Sequence, residues 1–249
     1  MDLSKVKKLL DRELAFRNSK DELSYQKPDP LMIARRFKDP YISLIAALFA
    51  YGNAKLIVKF LDSLPFFLLD EKESTIKKEL DRFYYRFQNI EDVANIFITI
   101  KRLKDYSIED IVYEGYKKQN SLVDGLFNLI EHIYKLNDYR SFGYNFFFGK
   151  VPTSISKAGT FKRYFMYFRW MVRKDNLDMG LWNKIDRKDL IMPLDTHSFN
   201  ISRKLSLLSR KSCDLKAALE VTQNLKKFDP NDPIKYDFAL YRIGQEKIL

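Results

Sequence analysis

Cysteine and histidine are nearly missing, with one cysteine, Cys213, and two histidines, His132 and His197, in 249 residues. That inventory excludes a disulfide framework, an all-Cys/His structural zinc site and a four-cysteine iron–sulfur cluster within the chain. It also suits a reducing, cytoplasmic compartment. Glycine and proline number only 8 each. So few turn formers argue against an all-β sandwich, which needs many tight turns. Long apolar runs are missing too. The longest uncharged stretch, "PYISLIAALFAYGNA" (40–54), falls short of the roughly 20 residues a membrane span needs and predicts a buried helix. Met1 leads straight into the charged amphipathic "DLSKVKKLLDREL", so no signal peptide is expected.

What is present is aromatic, basic and helical. Aromatics reach 15% and the net charge is +11, with a pI near 9.4. Such a balance points to a polyanionic partner, either nucleic acid or an anionic membrane. Helical periodicity runs through nearly the whole chain. Asp2 is placed to cap a first helix carrying Leu3, Val6, Leu10 and Leu14, and residues 19–40 read as irregular. Asp39-Pro40 then starts a helix that runs to Tyr51, stops at Gly52, and is followed by another from Asn53. Near the end, Asp214 caps "LKAALEVTQNLKKF", and Asp232-Pro233 opens a last helix ending near Gly244. The expected fold is all-α, with about ten helices.

Charge is unevenly spread. From Tyr139 to Lys174 there is no Asp or Glu but eight Lys or Arg, and residues 196–213 hold four basic residues and no acid. Inside the first stretch lies "FKRYFMYFRWMVRK" (161–174). Read as a helix, it puts Lys162, Met166, Arg169 and Arg173 on one face and Phe161, Phe165, Phe168 and Val172 on another. The second face is core. The first is either a solvated surface or a surface that tracks phosphates and stacks bases.

A catalytic reading joins Lys162 to Asp195, which opens the helix of "IMPLDTHSFNISRKL" (191–205). An amine nucleophile must lose its proton, and neighbouring cations such as Arg163 and Arg169 favour that loss. A carboxylate at a helix N-terminus meets backbone N–H groups and the positive end of the dipole. There it can stabilise positive charge developing on a sugar ring. The alternative reading makes Asp195 a helix cap and nothing more.

The blocks "RWMVRKDNLDMGLWNKIDRKDLIMPLDTH" (169–197), "KPDPLMIARRFKDP" (27–40), "AALFAYGNAKLIVKFL" (46–61) and "DPNDPIKYDFALYRIG" (229–244) resemble a bacterial family known only as domain of unknown function 2400. Its pattern is in turn similar to the helix-hairpin-helix (HhH-GPD) DNA glycosylase superfamily, nearest in spacing to the archaeal 8-oxoguanine DNA glycosylases. In that superfamily a "V-D-T-H"-like motif opens a helix with the catalytic aspartate, and "LDTH" at Asp195 matches it. Lys162, 33 residues earlier, falls where the superfamily's lysine would lie. The resemblance implies one orthogonal helical bundle in two lobes with a central cleft. The N-terminal and C-terminal helices would form one lobe and the middle of the chain the other. It implies a base-excision repair glycosylase with AP-lyase activity, acting through Lys162 and Asp195, on an oxidised purine for example. The expected partner is damaged double-stranded DNA, bound by a monomer with no cofactor, no metal and no membrane. Arg163, Arg169, Arg173, Lys174, Arg203 and Lys204 are the candidate nucleic-acid contacts. Asn53, in the "YGN" loop, and Trp170 are candidate base-recognition residues. The chain departs from the superfamily in its hairpin, where "SISKAGTFK" offers only Gly159 in place of a glycine-rich turn.

Two other readings stand beside this one. In the first, a non-enzymatic DNA- or RNA-binding protein keeps the fold, with Lys162 a phosphate contact. In the second, the basic aromatic segment is an interfacial helix of a membrane or interaction module. His197 is a candidate base or a local hydrogen-bonding residue, Trp182 a core residue or a stacking wedge, Asp29 a turn former, and Cys213 a buried, inert thiol.

Overall fold

The computed structural model describes every residue except Met1, Lys20 and Lys247. Among the described residues there are thirteen α-helices and no strand. They are α1 (Leu3–Arg17), α2 (Leu31–Phe37), α3 (Pro40–Leu48), α4 (Ala54–Ser63), α5 (Glu73–Glu79), α6 (Ile90–Leu103), α7 (Ile108–Tyr116), α8 (Leu122–Leu136), α9 (Phe142–Phe148), α10 (Lys162–Val172), α11 (Thr196–Lys204), α12 (Leu215–Lys226) and α13 (Asp237–Gln245). Short 3-10 turns occupy Phe66–Asp70, Ile155–Lys157, Arg187–Asp189 and Pro233–Tyr236. None of the described helices is long and apolar enough to cross a membrane.

Side-chain caps start most of the helices. Asp39 accepts from the N–H groups of Tyr41 and Ile42, with Pro40 in the first turn. Asn53 caps α4, Ser107 α7, Ser121 α8, Ser141 α9, Asp195 α11 and Asp214 α12. At α6, Asn89 and Asp92 form a reciprocal capping box. The expected count of ten falls short because α2, α5 and α9 are only seven residues long, too short to show a clear period. Helix α2 lies inside the segment expected to be irregular, where the Asp29 carboxylate accepts from the Leu31 N–H at 2.9 Å. Helix α3 ends at Leu48, three residues early, and Gly52 sits in the following loop at φ 108°.

The chain divides into two compact units. Unit 1 joins Met1–Leu23 to Pro152–Leu249, and unit 2 is Ser24–Val151. In unit 1, α1 buries Val6, Leu10, Glu13 and Arg17, with Arg17 paired to Glu246 at 2.6 Å. The expected stripe is displaced by that polar end, since Leu3 is exposed. Helix α10 is the core element, burying Tyr164 through Met171 without a break.

In unit 2, α6 is buried from Asp92 to Ile100, and Phe49 packs on Phe147 with ring centroids 4.6 Å apart. Helices α7 and α8 cross so closely that glycine is required on both. A Cβ on Gly115 would stand 2.5 Å from the Asp124 carbonyl oxygen, and one on Gly125 would stand 2.7 Å from that of Val112. Alanine is the better helix former by about 1 kcal/mol. Overpacking against backbone costs roughly 1–3 kcal/mol. Gly125→Ala is therefore expected to lower stability by a net amount of up to about 2 kcal/mol in urea unfolding; a stabilised variant would show that the two helices part freely.

Candidate active site

The candidate site is built from two helix starts in unit 1. The chain enters α10 through Phe161, a non-glycine residue in the left-handed region at φ 48°. Such a conformation costs about 1–2 kcal/mol and tends to be kept where it sets a functional geometry. Lys162 is the first residue of α10. At the other start, Asp195 Oδ1 accepts from the Ser198 N–H at 2.8 Å. Its second oxygen, Oδ2, lies 3.4 Å from Lys162 Nζ, with the two side chains 29% and 19% exposed. A cation at a helix N-terminus is electrostatically disfavoured, and Asp195 supplies the opposing charge.

Helix α13 holds the pair from behind. The Tyr241 ring centroid lies 5.9 Å from Lys162 Nζ. His197, exposed on the first turn of α11, stands edge-on to the same ring at 6.3 Å. Gly244 lets α13 press against His197 and Ile201 of α11. Cys213 is exposed, not buried as expected. Partial burial, followed by the charges of Asp195 and Asp214, pushes its thiol above the ordinary range, which disfavours the reactive thiolate.

Arg169 and Arg173 require correction. Expected as phosphate contacts, they are only 4% and 7% exposed. Arg169 donates from Nε to Asp178 at 3.1 Å and pairs through Nη1 with Asp237. Arg173 donates from Nε to Asp232 at 2.8 Å and lies 2.9 Å from Asp175. Met166 is buried on the same face. The expected basic face of α10 is therefore an internal ionic layer beyond Lys162. Its acids come from outside the acid-free stretch, from residues 175–178, 232 and 237. Trp170 is corrected as well: it is fully buried and cannot meet a base. Trp182 is likewise core, edge-on to Tyr167 at 5.4 Å.

The other candidates fall elsewhere. Lys174, Arg203 and Lys204 are exposed and Arg163 is half-buried. Arg203 and Lys204 close the last turn of α11, the end opposite Asp195. With His197 and Asn200 they line an open groove of about 750 Å³. Asn53 belongs to unit 2, where its side-chain oxygen accepts from the Lys55 N–H at 3.0 Å. Among the described residues no three His, Cys, Asp or Glu side chains are grouped to hold a metal ion.

One residue escaped the sequence reading. Asp237 is buried, and burial pushes its carboxyl up to about 6 against the pull of Arg169 and Lys162, with Asp195 adding to the rise. Four carboxylates share two guanidinium groups in this layer, so the charge is under-compensated, and burial pushes the Asp178 carboxyl up as well. A periodicity argument places Asp237 at a helix start but carries no sign of its depth.

The fold and site together describe an all-helical protein with a half-exposed lysine–carboxylate pair set over a buried arginine–aspartate layer. The chain belongs to the family described as protein of unknown function (DUF2400), which it matches over residues 29–246. No curated protein and no solved structure matches it.

Arg169→Ala leaves Asp178 and Asp237 without their shared cation, and a broken buried pair costs roughly 3–5 kcal/mol. Urea unfolding should show a loss of that size; under 1 kcal/mol, the layer does not hold unit 1. Asp237 has a second signature. Its folded value lies above its unfolded one, so its contribution is full below about pH 4 and is lost as pH rises through about 6. Relative to Asp237→Asn, the wild type should lose on the order of 2–3 kcal/mol between pH 4 and 7. A difference that stays flat across that window would place Asp237 in an ordinary carboxylate environment.

Proposed function

We propose that the protein is a DNA base-excision repair glycosylase with AP-lyase activity, using Lys162 as nucleophile and Asp195 as its carboxylate partner. The observation that carries this reading is the 3.4 Å approach of Lys162 Nζ to Asp195 Oδ2, across 33 residues of sequence, with both groups reachable by solvent. The helix-hairpin-helix likeness belongs to the same proposal. In support, a short turn at Ile155–Lys157 precedes α10, and Asp195 opens α11. Gly159 supports it too, because open space surrounds the position its Cβ would take, so a phosphate can approach that backbone closely.

The chemistry follows from the two groups. Asp195 Oδ2 is near enough to take a proton from Lys162 Nζ after a small closure, as catalytic hydrogen bonds tighten on substrate binding. The Nζ lone pair then attacks C1′ of a nucleotide turned out of the helix. The C1′–N bond breaks, and its electron pair leaves with the base, which takes up the proton that Asp195 received. Ionised again by that transfer, Asp195 stabilises the positive charge that builds on the sugar. Ring opening gives a Schiff base between Nζ and C1′, and loss of a C2′ proton expels the 3′ phosphate. Arg163, Lys174, Arg203 and Lys204 are the phosphate contacts of this reading; Arg169 and Arg173 are not. An oxidised purine is the proposed class of base.

A second reading draws on one observation: Asp195 Oδ1 is already spent on capping Ser198. A non-enzymatic nucleic-acid-binding protein of the same fold would need no more from that residue. Borohydride trapping on an oligonucleotide with an abasic site separates the two, since only an amine nucleophile leaves a covalent adduct. The wild type should be trapped, and Lys162→Gln should not. Asp195→Asn should stay folded and keep binding while the excision rate falls roughly 100- to 1,000-fold. Binding with no adduct from the wild type would overturn the enzymatic reading.

A further inference from the structure

Exposed aromatic side chains gather in unit 2, apart from the residues used above. Phe142 and Tyr84 are 73% and 70% exposed, and Phe87 and Ile90 are exposed as well. Phe87 stacks on Tyr51 at 6.0 Å with 13° between the rings. It meets Phe142 edge-on at 6.0 Å and Phe146 at 4.7 Å. The Arg86 guanidinium carbon lies 5.5 Å from the Phe87 ring centroid and 5.9 Å from that of Tyr51. A Cβ on Gly52 would stand 2.7 Å from Arg86 Nη1, so glycine there leaves room for the guanidinium. Arg82 lies 5.6 Å from the Phe83 ring.

This surface is held rigidly. Tyr85 and Gln88 exchange two backbone hydrogen bonds, each 2.9 Å, closing a turn with Arg86 and Phe87 at its tip. Arg86 is left-handed at φ 52°, a strained conformation that the turn imposes on a non-glycine residue. Gln88 Nε2 donates to the Gly143 carbonyl at 2.8 Å, and the Tyr85 hydroxyl donates to that of Tyr51 at 3.0 Å. Asp92, nearly fully buried, accepts from the Asn89 N–H at 2.9 Å and the Tyr139 hydroxyl at 2.9 Å, and from Ser141. A Cβ on Gly143 would collide with the Asp92 carboxylate and the Phe87 carbonyl. Helix α9 is thus locked to the turn, and Phe142 is its first residue.

An exposed ring on a mobile loop signals little. Rings fixed in the open by a buried polar network keep apolar surface in water, which marks a binding site. We propose that this surface, centred on Phe87 and Phe142 with Arg82 and Arg86 beside them, stacks the unpaired bases of a single-stranded nucleic acid. Aromatic faces and guanidinium planes side by side are what sequence-tolerant base stacking uses. Charge in unit 2 is nearly balanced, so the exposed guanidinium groups of Arg82 and Arg86 supply the local attraction for phosphates. Asp81 and Glu91 flank the turn in sequence and keep it from being a plain basic patch, so the rings, not charge alone, must supply much of the affinity. The placement owes nothing to Lys162 or Asp195.

Fluorescence anisotropy on the full chain tests it, with an oligothymidylate of about twelve nucleotides, within the span such surfaces cover. The comparison probe is an equally long phosphate backbone carrying no bases. The wild type should bind the oligothymidylate at least tenfold more tightly than the baseless strand. Phe142→Ala and Phe87→Ala should each weaken oligothymidylate binding by about tenfold, leave the baseless strand unaffected and leave the salt dependence unchanged. Phe142 is so exposed that its variant should unfold like the wild type, which keeps the test informative if Phe87→Ala is destabilised. The readout is binding that depends on the bases and rings of unit 2, so failure to trap an adduct in unit 1 says nothing against this surface. Equal affinity for both strands, or unchanged binding by Phe142→Ala, overturns the proposal. So does ring-dependent binding to phosphatidylglycerol vesicles without binding to the oligothymidylate, which would make the surface a membrane contact.

Discussion

Unit 1 depends on two arginines that have left water. Burying a guanidinium costs several kcal/mol even after relaxation, and Arg169 and Arg173 repay it only because Asp175, Asp178, Asp232 and Asp237 converge on them. Those acids lie on the loop after α10, on the approach to α13 and at its first residue. The layer therefore fixes where α13 can start. From that start, Tyr241 and Gly244 follow one and two turns on, against Lys162 and α11. The geometry of the lysine–aspartate pair is a consequence of the ionic layer below it. The coupling is electrostatic as well as steric, since Lys162 and Asp195 pull Asp237 in opposite directions.

Unit 2 solves a different problem with a single carboxylate. Asp92 closes the capping box of α6 and takes the hydroxyls of Tyr139 and Ser141, so one side chain ties α6 to the entry of α9. Unlike the arginine layer, this network holds no ion pair to Asp92 among the described residues; hydrogen bonds satisfy its oxygens. What it holds faces outward: a turn with Arg86 and Phe87 at the tip, and Phe142 beside it. In unit 1 the buried network sits beneath a polar pair, and in unit 2 beneath an aromatic surface. In each, a satisfied internal layer lets exposed groups keep a geometry that water would otherwise loosen.

Much of the helical framework was legible in the sequence because it rests on local chemistry. Asp39-Pro40, Asn53, Asp195 and Asp214 all cap the helices expected of them, since a cap needs only its own next three residues. Aromatic-and-basic composition did not show which segment faces water. The run "FKRYFMYFRWMVRK" has the composition of a nucleic-acid surface and is core, whereas "RFYYRF" at 82–87 has a similar composition and stands largely exposed. Composition is the same type of signal in both; burial is not a local property.

By itself the sequence determined the helical class and the starts that carry a side-chain cap, Asp195 among them, because periodicity and capping act over a few residues; it missed α2 and placed the last helix at Asp232-Pro233, where a 3-10 turn precedes α13. It did not determine which charges face water. An acid-free stretch of 36 residues looks uncompensated along the chain, yet Arg169 and Arg173 meet their carboxylates from up to 68 residues away. Only the tertiary structure decided that, because an ion pair depends on distance in space, and the cost of an unpaired buried charge leaves a fold no choice but to bring the partners together.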